Sequence, residues 1–107
     1  MSFDMDKTTA DMGSAAAAML GGEWGKVKDC VEKALADEKE ALKAIADARI
    51  AGEINDAEMK LQIEDEKVAL KAALLVCKIK AKVMVQKTVN AAMKVLQDAI
   101  KAALKIG

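Results

Sequence analysis

Apolar positions recur every three or four residues through most of this chain, and that period is helical. Between Glu23 and Ala51 they fall at Trp24, Val27, Val31, Ala34, Leu35, Leu42, Ile45 and Ala46. The spacing predicts an amphipathic helix over 23–51. Gly52 supplies a stop, and Asn55 with Glu58 three residues later has the form of a capping box that restarts the chain. From there no glycine or proline interrupts the sequence until Gly107, and Ala, Leu, Lys, Met and Gln dominate. The pattern predicts one continuous helix over 56–106, roughly 75 Å long at 1.5 Å per residue. The turn at 52–55 is short enough to make the two helices antiparallel neighbours.

The expected fold is therefore all-α: an antiparallel helical hairpin over 23–107, preceded by an arm over 1–22. Its very long C-terminal helix, about 55–106, projects past its partner. Six apolar pairs agree on one hairpin register: Leu42 with Ile63, Ile45 with Leu61, Leu35 with Leu70, Val31 with Leu75, Val27 with Ile79, and Trp24 with Val83. In that register Glu38 faces Lys67, a polar pair of the kind that fixes alignment more than it adds stability. Cys30 faces Cys77, either as two small buried thiols filling a close contact or as a disulfide stapling the hairpin. A compact four-helix monomer is the competing architecture.

The first helix is too short to cover the second beyond about residue 85. The overhang carries Val89, Ala92, Met93, Leu96, Ile100, Ala103 and Leu104 on one face, and Lys87, Asn90, Lys94, Gln97, Lys101 and Lys105 on the other. An uncovered apolar stripe of that length marks a contact surface. The arm is the weakest part of the pattern. Thr8 could cap a short helix to Ala18 with Met12, Ala15, Ala16 and Met19 as a thin stripe, ended by Gly21 and Gly22. The arm is either loosely packed or docked on the long helix, and its small residues are a poor cover for the whole overhang.

Composition narrows the chemistry. The 107 residues contain no histidine, tyrosine or proline and only two aromatics, Phe3 and Trp24. No general base titrating near neutrality is present, and no Gly-rich phosphate loop or nucleophile elbow is found. Glu64, Asp65 and Glu66 are consecutive, so they diverge around a helix instead of converging on a metal. The expectation is a non-enzymatic protein with no cofactor, no metal and no small-molecule substrate.

Charge adds one feature. The chain has 17 basic and 17 acidic residues, yet residues 68–107 hold eight lysines and a single acid, Asp98, while the acids concentrate before residue 68. The lysine-rich half lacks arginine and stacking aromatics, which argues against nucleic acid. No stretch approaches the ~20 apolar residues of a membrane span. Two readings follow. The first is a structural subunit that assembles with copies of itself into a ring, filament or bundle through the overhang, with opposite charges at its two ends favouring staggered contacts. The alternative is a membrane-active or pore-forming protein that lays its cationic amphipathic C-terminal helix on an anionic membrane surface. In outline, an arm, a hairpin and a long terminal helix are similar to small secretion-needle subunits and to export-associated hairpins with a Trp-x-Gly turn. Trp24-Gly25 neither has that spacing nor lies at the turn, so no family follows.

Overall fold

The structure is a computed structural model and describes residues 3–106. Four helices follow one another: α1 Met5–Leu20, α2 Trp24–Ile50, α3 Asp56–Leu75 and α4 Lys82–Ile106, with a single 3-10 turn, Gly21–Glu23, between the first two. Each helix packs on its neighbour in the chain, and α1 closes the ring by packing on α4. The result is a four-helix bundle of 41 × 24 × 19 Å.

The hairpin of α2 and α3 follows the expected local signals. Beyond the end of α2, Gly52 adopts φ 79°, which only glycine reaches without cost. Its N–H donates to the Arg49 carbonyl, and the Glu53 N–H donates to Ala48. Those two bonds form a Schellman stop. Asn55 Oδ1 accepts from the Glu58 N–H at 2.8 Å, and Glu58 Oε1 accepts from the Asn55 N–H at 3.0 Å, completing the capping box. Arg49 pairs with Asp56 across the turn at 2.8 Å. The α2 residues Val27, Val31, Ala34, Leu35, Leu42, Ile45 and Ala46 are all buried.

The long continuous helix does not form. The chain breaks between Leu75 and Lys82, and α4 folds back along the bundle. At the break Lys78 takes φ 61°, the left-handed conformation that usually ends a helix with glycine. The Val76 and Cys77 amides donate to the Ala73 and Leu74 carbonyls, tightening the last turn. The physical reason for the break lies far from it in sequence. A straight helix would leave the stripe from Val89 to Ile100 in water. Folding back buries Val85, Val89, Ala92, Met93, Leu96 and Ile100, each large side chain contributing roughly 1.5–3 kcal/mol. That far exceeds the cost of one lysine in the left-handed region, roughly 1–2 kcal/mol.

The partner of α4 is the N-terminal segment. Helix α1 starts at Met5, capped by Asp4, whose Oδ1 accepts from the Lys7 N–H at 3.1 Å. Thr8 is therefore not the cap. It is a buried residue in the second turn, its hydroxyl donating to the Asp4 carbonyl at 2.8 Å. The buried face of α1 is Met5, Thr8, Met12, Ala16 and Leu20, a fuller stripe than Met12 to Met19 alone. Met1 and Ser2 of the arm, and Gly107, lie outside the described residues.

Lys78 offers a direct test of the break. Replacing it with glycine removes the side-chain penalty at φ 61° while leaving the turn intact. Lys78→Gly is expected to raise unfolding stability by about 1 kcal/mol, read as a higher urea midpoint. If residues 76–81 were helical in solution, the same change would lower stability by about the same amount.

Candidate functional site

The structure relocates several of the residues singled out in the sequence. Val89, Ala92, Met93, Leu96 and Ile100 are buried within the single chain, and Ala103 and Leu104 are partly buried at its end. The stripe expected to contact other copies is core, because α1 occupies it. What α4 leaves exposed is its lysine face, including Lys87, Lys94 and Lys101.

Cys30 and Cys77 are joined by a disulfide, with Cα atoms 5.6 Å apart. The bond ties the second turn of α2 to the end of α3. Nearby, Glu23 Oε1 accepts from the Lys80 N–H at 2.8 Å. These two links, with Val27 and Ile79 buried beside them, anchor the 76–81 turn to the start of α2.

The polar pair in the seam is different from the one the register suggests. Lys67 bonds Glu64 on its own helix at 3.1 Å. Glu38 instead meets the carboxyl of Glu66. Neighbouring residues on a helix differ by about 100° in direction, so an offset of one residue in the register sets Glu66 in place of Lys67. Burial pushes the Glu38 carboxyl up to about 7, and the hydrogen bond to Glu66 with the negative charges of Glu66 and Asp37 acts in the same direction. The folded protein thus holds a proton that the unfolded chain releases near the ordinary 4.5. Stability is full below about 4.5 and falls as pH rises toward about 7, where the folded state binds more protons than the unfolded. Glu38→Gln is expected to remove this dependence and to stabilise the protein at pH 8 by about 1 kcal/mol, a figure held low because the group is only partly buried. Urea melts at pH 5 and pH 8 measure it; equal pH dependence in variant and parent would rule the carboxyl pair out as the cause.

Sequence periodicity also misassigned the two faces of α3. Its inner face is Met59, Ile63, Leu70 and Leu74. Leu61 and Leu75, two residues of the proposed hairpin register, point outward, as does Val83 at the start of α4. Leu61 is 70% exposed, Val68 71%, Leu75 44% and Val76 75%. Leu61, Val68 and Leu75 are spaced by seven, so they form one line along the helix. Exposed Ala72 and Asp65 lie on one flank of that line, and Glu64 and Lys71 on the other. The signal for this second face is visible in the sequence: α3 is apolar on two sides, and one hairpin partner can cover only one.

Two open grooves complete the surface. One of about 940 Å³ lies between α1 and α4, with Phe3, Val95, Ala99 and Ala103 among its apolar lining and Asp4, Lys7, Asp11 and Asp98 among its charges. The other, about 470 Å³, lies between α1 and α2 over Gly13, Ala17, Trp24 and Leu35. Among the described residues no three potential ligands are grouped to hold a metal ion, and no helix is long and apolar enough to cross a membrane. No family model, curated protein or solved structure matches the chain, so the functional reading rests on its own geometry.

Proposed function

We propose that this protein is a non-enzymatic structural module, a disulfide-stapled helical bundle that associates with copies of itself through helix packing. The observation that carries the reading is the outer face of α3, where Leu61, Val68, Leu75 and Val76 stand in solvent. A monomer has no use for three large apolar side chains in line on an exposed helix, and such stripes mark contact sites. The contact is thereby moved from the C-terminal stripe, which the fold consumes, to α3. The non-enzymatic part is supported by composition: the chain has no histidine, and Lys7, Lys33, Lys43 and Lys94 each pair with an aspartate one turn along the same helix.

A membrane surface as partner requires α1 to leave α4, since the apolar face of α4 is otherwise covered. Sedimentation velocity across a hundredfold range of concentration, with and without anionic liposomes, separates the readings. Self-association appears as a sedimentation coefficient that rises with concentration in the absence of lipid. A protein that stays monomeric and floats with liposomes would overturn it.

A further inference from the structure

We infer that the outer face of α3 is a twofold self-docking surface, in which two copies pack α3 antiparallel about Val68. This inference rests on the self-association proposed above and specifies its geometry. Helix α3 is charged unevenly along its length: Asp56, Glu58, Glu64 and Asp65 outnumber Lys60 in its first half, whereas Lys67 and Lys71 outnumber Glu66 in its second. A parallel pairing would set acid against acid and Lys71 against Lys71. An antiparallel pairing sets the acidic half of each copy against the basic half of the other.

The apolar line has the same symmetry. Val68 lies midway between Leu61 and Leu75 in sequence, so a twofold axis beside Val68 places it against its own counterpart. The same axis sets Leu61 of each copy against Leu75 of the other. The flanks then fall into place. At about 100° per residue, Glu64 and Lys71 lie on the same side of the line, about 40° and 60° from it. A twofold axis across two antiparallel helices keeps each flank on its own side. Glu64 of one copy therefore meets Lys71 of the second, and the reciprocal pair forms by symmetry. On the other flank Asp65 faces Ala72, a side chain small enough to let the helices approach. All of these side chains are exposed in the single chain, so docking needs no rearrangement of the fold.

Such a contact is isologous and closes at two copies. One helix pair buries less than the ~1,200–2,000 Å² of stable interfaces. The dimer is accordingly expected to be weak, with a dissociation constant on the order of 100 µM.

Sedimentation equilibrium on the oxidised full chain and four variants tests the arrangement. Val68→Asp is expected to abolish association over the measured range. Glu64→Lys and Lys71→Glu are each expected to weaken it about tenfold, and the two together to restore it to within about threefold of the parent. Circular dichroism checks that each variant stays folded, as exposed substitutions should. If the parent associates and Val68→Asp abolishes this, but the charge reversals show no mutual rescue, the antiparallel geometry is wrong and self-association through α3 stands. If Val68→Asp associates like the parent, the stripe is not the contact. If the parent is monomeric to about 1 mM, both the geometry and the proposed function fall.

Discussion

Replacing Leu96 and Ile100 together by aspartate should leave no folded protein at room temperature. Both side chains are fully buried in α4, between helices of the same chain. Truncating one large core side chain costs about 2–5 kcal/mol. Aspartate adds the penalty of a buried charge, and neither position has a cation beside it within the core. Two such changes exceed the ~5–15 kcal/mol that holds a domain of this size. Loss of helical circular dichroism and of dispersed amide resonances would report the result. Val68→Asp, on the exposed face of α3, is the control and should keep its helicity. A double variant that remained folded and lost only self-association would show that the stripe lies between copies and not inside one.

That prediction turns on the feature least legible in the sequence. The stop at Gly52, the box at Asn55 and Glu58, and the inner face of α2 are local signals, decided within a few residues of backbone, and they read correctly. The break at 76–81 has no such signal. Val76, Cys77 and Lys78 are all compatible with a helix, and no glycine or proline marks the turn. Periodicity is silent as well. Ile63, Leu74, Val85 and Leu96 are spaced by eleven residues, about three helical turns, so they would share one face of an unbroken helix just as they share the core of the bundle. What breaks the helix is non-local: an apolar stripe on α4, and a complementary one on α1 waiting about seventy residues upstream. Met5, Met12 and Leu20 give α1 enough side-chain volume to cover α4, although the alanines between them make the arm look thin.

The candidate site was obscured for a related reason. Leu61 and Leu75 fit a hairpin register by number, but a register by number has a tolerance of one residue, and one residue is about 100° on a helix. The same tolerance exchanged Lys67 for Glu66 opposite Glu38. Leu42 and Ile63, Leu35 and Leu70, and Val27 and Ile79 are all buried, as that register expects. The rest of α3 could be assigned to a face only when α4 was seen to take the remaining side.

Breaking the disulfide should have the second-largest effect. Cys30 and Cys77 are 47 residues apart in sequence, and closing a loop of that size removes unfolded-chain entropy worth about 4 kcal/mol at 25 °C. The loss is a large share of a marginal total, so reduction, or replacement of both cysteines by alanine, should lower the urea midpoint markedly. The consequences should also be uneven across the fold. Cys77 directly precedes Lys78, the residue held in the left-handed region. It also lies within three residues of the Lys80 amide that Glu23 accepts. Without the staple, the 76–81 turn is tied to α2 by that hydrogen bond and by buried Ile79, its remaining bonds being local ones to the Ala73 and Leu74 carbonyls. The turn at 52–55 keeps its Schellman stop and capping box, neither of which involves a cysteine. Hydrogen exchange should therefore accelerate at 76–81 and at the start of α2 well before it changes at 52–55. A reduced protein that melted within about 1 kcal/mol of the oxidised one, with uniform exchange, would mean that packing of α1 on α4 alone fixes the turn and that the bond adds little to it.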